Sequence, residues 1–148
     1  MKSNQKGFTL IELLAVIVIL AIIALITTPI VLDLITNARL DAAQNKTYGV
    51  IDAVRLAYTQ NQVKPTPVPA DANGKIETSF SGTSTVNLGN NSTTGVDQTQ
   101  ISISGEMPSA GKVVIDVASG KITAVNLQFT GFTCNTSADG TATCTATP

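Results

Sequence analysis

Polar and apolar residues divide this chain into two zones. From Gly7 to Leu32 (GFTLIELLAVIVILAIIALITTPIVL) Glu12 is the one charged residue, and every residue from Leu13 to Ile26 is apolar. Side chains that prefer hydrocarbon all the way round do not suit an amphipathic surface helix. About 20 apolar residues cross a bilayer core, and residues 8–32 suffice with some tilt. In lipid the backbone must satisfy its own hydrogen bonds, so a membrane helix is predicted. The pattern then changes without breaking. Leu34, Ile35, Ala38, Ala42, Ala53 and Leu56 recur on one face at 3.6-residue spacing, while Asp33, Asn37, Asp41, Gln44, Asp52 and Arg55 fall on another. Val50, Val54 and Tyr58 widen the apolar sector, as expected of a half that packs on a sheet. Gly49 costs about 1 kcal/mol against alanine inside a helix, so it marks a bend or, preferably, a close approach. Helix stop signals arrive at Asn61 and Gln62, and Lys64-Pro65-Thr66-Pro67-Val68-Pro69 favours extended backbone. The helix is therefore expected from about Phe8 to about Asn61.

Beyond the prolines the period shortens to two. Asp71 to Gly74 reads as a turn. Ile76 to Phe80 and Thr85 to Leu88 read as short strands, and residues 89–95 (GNNSTTG) as a polar loop. Thr99 to Ser104 alternates, with Ile101 and Ile103 on one face, and Gly105 to Gly111 connects onward through Pro108. Val113, Ile115 and Val117 alternate within Lys112 to Ala118; after Ser119-Gly120, so do Val125, Leu127 and Phe129 within Ile122 to Phe129. Two such runs across a short Gly-containing turn predict a hairpin. The second half of the helix is the expected cover for its apolar face. Nearer the C-terminus, Ala138-Asp139-Gly140 suits a three-residue hairpin loop with Gly140 left-handed. Pairing Ser137 with Thr141 then sets Cys134 opposite Cys144, with Cα atoms about 4.5–5.5 Å apart, within disulfide reach. A two-residue Asp-Gly loop would misalign them by one. So short a closed loop contributes about 2–3 kcal/mol on the entropic model. The expected fold class is α+β: a long N-terminal helix packed on a small antiparallel sheet.

Composition removes function classes. Nine basic against ten acidic residues leave a formal net charge of −1, which offers no electrostatic footprint for nucleic acid. Histidine and tryptophan are absent, so there is no His-based triad, His metal ligand or imidazole pH switch. No phosphate-binding glycine motif follows a strand. Asp71, Asp97, Asp116 and Asp139 are dispersed near turns, where carboxylates bond to backbone. Asp139 with Asn135 is too thin for calcium. Asn45-Lys46-Thr47, Asn91-Ser92-Thr93 and Asn135-Thr136-Ser137 match the glycosylation sequon, a pattern too short to be informative. No catalytic constellation, metal site or cofactor is expected. The positive-inside rule puts Lys2 and Lys6 in the cytoplasm and the head outside; the two cysteines independently fit that oxidising side.

The N-terminal junction has its own chemistry. A secretory signal peptide sets its apolar region before a small-residue cleavage site. Here the leader MKSNQK and the small junction Lys6-Gly7-Phe8 come first, so a cut there leaves the membrane helix on the mature chain. A carboxylate in the bilayer costs about 2.5–3.5 kcal/mol on insertion scales. Glu12 therefore snorkels at the membrane edge or needs a cation. A cut after Gly7 creates one, the amine of Phe8, about one helical turn away. The pairing is possible within one chain; between staggered chains it would fix register, because an unpaired buried charge penalises misalignment. The residues alone leave that choice open. Pro29 removes an N–H bond behind Thr27 and Thr28. It reads as a tolerated kink whose threonines re-satisfy the backbone, or as a point where the helix bends or melts when subunits pack.

KGFTLIELL followed by a long apolar helix resembles the N-terminus of type IV pilins and pseudopilins, over roughly residues 6–31. The resemblance implies that a prepilin peptidase cuts after Gly7 and that Phe8 becomes an N-methylated first residue. It matches Glu12 and Pro29 to the family's assembly glutamate and helix proline, and favours pairing of Glu12 between chains. Many type IV pilins also close a C-terminal region with a disulfide. The implied segments are a leader over 1–7, a transmembrane and assembly helix over 8–32, and its amphipathic continuation over 33–62. A Pro-rich connector over 63–75 and a β head over 76–148 follow. The expected function is that of a structural, non-enzymatic subunit of a type IV pilus-like filament. It is inserted in the plasma membrane as a prepilin, surrounded by lipid, and polymerised at the cell surface as a helical homo-oligomer. The partners implied are the prepilin peptidase, an inner-membrane assembly platform and an assembly ATPase; direct nucleic-acid binding is not expected. The alternatives are a pseudopilin of a type II secretion system, a competence pilin for DNA uptake, and a non-polymerising membrane-anchored β binding module.

Overall fold

One helix, α1, runs from Leu10 to Gln62 without interruption, in a computed structural model that describes residues 7–83, 85–90, 98–137 and 140–147. Lys2 and Lys6 of the leader, Asn91 of the polar loop, Asp97, and Ala138 and Asp139 of the last turn lie outside the described residues. The chain forms two units, one ending at Ala38 and the other beginning at Arg39.

The first unit is the apolar part of α1. Among the described residues nothing buries its hydrophobic side chains: Leu10 is 82% exposed and Leu25 80%. It is long and apolar enough to cross a membrane. The Thr27 hydroxyl donates to the Ile23 carbonyl (2.8 Å) and the Thr28 hydroxyl to the Ala24 carbonyl (2.7 Å). The carbonyl that loses its usual partner to Pro29 is that of Leu25, four residues back. The threonines thus brace the two carbonyls just before it, a pattern that bends helices slightly.

In the second unit α1 buries Ala43, Thr47, Val50, Ile51, Val54, Ala57, Tyr58 and Asn61. This corrects the expected apolar face. Leu56 is 60% exposed and Ala42 is exposed; the stripe containing Val50, Val54 and Tyr58 faces the core. A phase set by Leu34 and Ile35, which belong to the first unit, carried no information about which side of α1 is buried in the second. Thr47 tolerates full burial because its hydroxyl bonds the Ala43 carbonyl at 3.0 Å.

Among the described residues seven strands follow: β1 (Lys75–Phe80), β2 (Thr85–Asn87), β3 (Gln100–Ser102), β4 (Ala110–Asp116), β5 (Ile122–Phe129), β6 (Phe132–Thr136) and β7 (Ala142–Ala146). The main sheet is antiparallel with order β1-β4-β5-β6-β7, and β2 pairs with β3 in a separate ribbon. The β4–β5 hairpin sits where alternation put it, except that β4 begins at Ala110 and takes in Gly111. Leu88 leaves the strand for a 3-10 turn. Val54, Leu88, Val113, Ile115, Leu127 and Cys134 are fully buried in one core between helix and sheet. Two polar groups fix the helix end. Tyr58 donates its hydroxyl to the Val117 carbonyl (3.1 Å). Buried Asn61 accepts from the Val68 N–H (2.9 Å) and donates to the Val68 carbonyl (3.4 Å), turning the Pro-rich segment back onto the core.

Gly49 lies in unbroken helix, with nothing within 4 Å of the Cβ it lacks. Neither a bend nor a close approach inside the chain explains it. Gly49→Ala is expected to stabilise the head by about 0.5–1 kcal/mol, through helix propensity alone. Denaturant unfolding of the two proteins checks this; an unchanged or lower midpoint would show a contact that the open space does not suggest.

Candidate functional site

Gly7, Phe8 and Thr9 precede the first helical residue, Leu10, and carry no regular structure. Phe8 is 92% exposed, and nothing lies within 4 Å of a Cβ placed on Gly7. The backbone at the Gly7–Phe8 junction is thus open. Just beyond it the helix is capped from both directions. The Thr9 N–H and the Thr9 hydroxyl each donate to Glu12 Oε2 at 2.7 Å, and the Glu12 N–H donates to Thr9 Oγ1 at 3.4 Å. This is a capping box, with the carboxylate at the positive end of the helix dipole. Thr-x-x-Glu ahead of an apolar run was its signal in the sequence, and the reading of Glu12 as a lone charge passed over it. In this single, uncut chain the Glu12 carboxylate holds two hydrogen bonds from Thr9.

At the other end of the chain, Cys134 and Cys144 form a disulfide and face each other across β6 and β7, with Cα atoms 4.1 Å apart. Ser137 pairs with Thr141 through its N–H (3.0 Å), and Gly140 is left-handed at φ 86°. β7 is an edge strand, and the Tyr48 hydroxyl of α1 accepts its Ala142 N–H at 2.9 Å.

A third cluster went unread. Glu106, in the connection between β3 and β4, pairs with Lys46 of α1 and accepts the Thr130 N–H at 3.1 Å. It borders a cleft of about 500 Å3 whose other walls include Asn45, Gly49, Ala53 and Ile103. The Lys46 hydrogen bond, then those from Thr130, hold the Glu106 carboxyl down at about 2. The folded state thus binds this proton more weakly than the unfolded state. Its stabilisation is complete above the unfolded carboxyl range near pH 4.3 and is lost as pH falls toward 2. Both side chains are more than a third exposed, so screening limits the effect to about 1 kcal/mol. Stability is expected to drop by that amount between pH 5 and pH 2, and Glu106→Gln is expected to flatten that part of the curve. A variant with the wild-type slope would assign the acid sensitivity elsewhere.

Two of the dispersed carboxylates, Asp71 and Asp116, serve their own turns. Asp71 Oδ1 accepts the N–H groups of Asn73 (2.9 Å) and Lys75 (2.8 Å), and Asp116 Oδ1 accepts the Ser119 N–H (2.8 Å) and hydroxyl (2.7 Å). Ser119 accordingly holds the Asp116 carboxyl below its ordinary range. Asn135 Oδ1 accepts from the Asn126 amide at 2.7 Å. Among the described residues no group of three His, Cys, Asp or Glu side chains gathers to hold a metal.

A capped and open N-terminal junction, a long uncovered apolar helix and a small disulfide-closed antiparallel sheet define a pilin-like α+β protein. The family model of the prokaryotic N-terminal methylation motif matches residues 2–28. The chain is also 35% identical over 105 residues to the fimbrial protein EcpC of Eikenella corrodens, an alignment covering 65% of this chain and 69% of that protein. No solved structure matches it. The chain belongs to the type IV pilin family, whose members are structural fimbrial subunits.

Proposed function

We propose that this protein is a structural subunit of a type IV pilus-like filament, made as a membrane prepilin and polymerised through the apolar part of α1. The observation that carries this reading is the first unit itself: an apolar helix with none of its membrane-length window buried. In the precursor, lipid covers it; in a filament, neighbouring copies do. The apolar surface stays out of water in both, so extraction from the bilayer carries no large hydrophobic penalty. Residues 1–7 are the leader, a prepilin peptidase cuts at the open Gly7–Phe8 junction, and Phe8 is then N-methylated. Residues 8–32 anchor and assemble, with Glu12 setting register and Pro29 allowing the helix to yield. Residues 33–62 carry the helix into the head, 63–75 connect, and 76–148 form the surface. The assembly platform and ATPase are the machinery such a subunit needs. EcpC is a fimbrial protein by name, which favours a surface pilus over a secretion or competence pseudopilus.

The test is intact mass and N-terminal sequencing of protein sheared from cells. A chain beginning at methylated Phe8, with its disulfide closed, is the expected result. Gly7→Arg is expected to stay uncut in the membrane fraction, because the side chain fills the space that glycine leaves open at the junction. A sheared chain beginning at Met1, or normal cutting of the variant, overturns the reading of the junction.

A further inference from the structure

α1 carries seven charged residues. Four of them are answered inside the chain. Thr9 holds Glu12, Glu106 pairs with Lys46, and Asp52 pairs with Arg55 at 3.0 Å, three residues away. The other three, Asp33, Arg39 and Asp41, are consecutive among the charges of the helix. All three are exposed, and among the described residues none of them has an ion-pair partner.

Their spacing forbids a pair within the helix. Helical side chains meet when they are three or four residues apart, as Asp52 and Arg55 are. Asp33 and Arg39 are six apart, about 9 Å along the axis. Arg39 and Asp41 are two apart, and side chains at that spacing do not face each other. Glu106 borders the same cavity of about 230 Å3 as Arg39, but its carboxylate is held by Lys46 and the Thr130 N–H.

A second copy supplies what the chain does not. In a helical filament each copy is related to the next by one rotation and one rise, so equivalent residues are offset alike along their whole length. A Glu12 carboxylate that meets the Phe8 amine of a neighbour sets this offset at four residues, about 6 Å of helix. The same offset brings Asp33 of one neighbour and Asp41 of the other to the level of residue 37, four residues from each. Arg39 lies two residues, about 3 Å, from that level. Its guanidinium has five donors in a planar fork, enough to bridge two carboxylates. With no offset, each charge would face its own equivalent, and like against like is penalised. We propose that Arg39 is an assembly clamp, which binds Asp33 and Asp41 of adjoining copies of this chain in the register that Glu12 sets. The clamp rests on the filament reading and adds a second register point to it, at the end of the apolar stretch.

The experiment measures sheared filaments against the membrane pool for the wild type, Arg39→Asp and the full reversal Asp33→Arg/Arg39→Asp/Asp41→Arg. Arg39→Asp sets three carboxylates together, and its filament yield is expected to fall about tenfold or more, because like charges across an interface repel strongly. The full reversal is expected to recover most of that yield. A second measurement reads the contact with the charge kept. Arg39→Lys supplies an amine that a carbodiimide couples to a carboxylate, the water that leaves passing to the reagent as it becomes a urea. Treated Arg39→Lys filaments are expected to give covalent dimers whose peptide masses link residue 39 to Asp33 or Asp41 of another chain; the wild-type guanidinium gives no such link. Normal filament yield from Arg39→Asp overturns the proposal. So does a full reversal that reaches the membrane pool yet yields no more filament than Arg39→Asp, or the absence of an interchain link at residue 39. A wild type that sheds no filaments overturns the filament reading itself, and the clamp with it.

Discussion

Gly111→Ala is expected to break the main sheet of the head. Gly111 has φ 125°, a backbone conformation that costs any L side chain about 1–3 kcal/mol. The space is also missing: a Cβ there lies 2.1 Å from the Asn126 carbonyl oxygen and 2.8 Å from the Leu127 Cα. Both are backbone atoms of β5, so the clash cannot be relieved by a rotamer. The hairpin must open next to fully buried Leu127 and Val113. Strain and overpacking together should cost about 3–5 kcal/mol, a large part of the 5–15 kcal/mol that holds a typical domain. Gly82→Ala is the control. Its φ of 79° brings similar strain, but the nearest atom is 3.9 Å away, so a loss of about 1 kcal/mol is expected. Denaturant midpoints of the two variants decide the matter. Equal midpoints would mean that conformational strain alone matters at Gly111.

Glu12→Leu is expected to abolish filaments while improving the membrane helix. On insertion scales the exchange favours the bilayer by about 3 kcal/mol, so membrane fractionation should show at least wild-type levels of cut protein. If the carboxylate serves only as a helix cap, its loss frays the first turn and costs about 1 kcal/mol. Thr9→Val isolates that contribution, because it removes the hydroxyl that both donates to Oε2 and accepts from the Glu12 N–H while leaving the charge. Thr9→Val should still give filaments, in reduced yield. On the proposed role of Glu12 in register, Glu12→Leu should give none, because an unpaired buried charge would no longer penalise misaligned neighbours. Sedimentation of sheared material, scored against the membrane pool, reads both. Filaments from Glu12→Leu at the Thr9→Val level would reduce Glu12 to a capping residue.

These two positions divide what could be read along the chain from what could not. The Glu12 cap is local: Thr9 and Glu12 are three residues apart on one helical turn, and Thr-x-x-Glu announces the bonds it makes. Gly111 is not local. Its neighbours in sequence, Ala110 and Lys112, look like the end of a loop and the start of a strand. Only the approach of β5 makes a side chain there impossible.

The same boundary runs through the rest of the molecule. Length and hydropathy of residues 8–32, the stop at Asn61 to Pro69, the alternation of β4 and β5 and the spacing of Cys134 and Cys144 were all determined by the sequence alone. Each depends on the period of one element or the reach of one turn. The side of α1 that faces the head, the strand order β1-β4-β5-β6-β7, the tie from Tyr48 to the edge strand and the Lys46–Glu106–Thr130 node were decided only in the tertiary structure. Their partners are separated by 24 to 94 residues in the hydrogen bonds that make them. The choice of such partners is set by how a whole helix and a whole sheet bury their apolar faces together, which no local periodicity encodes.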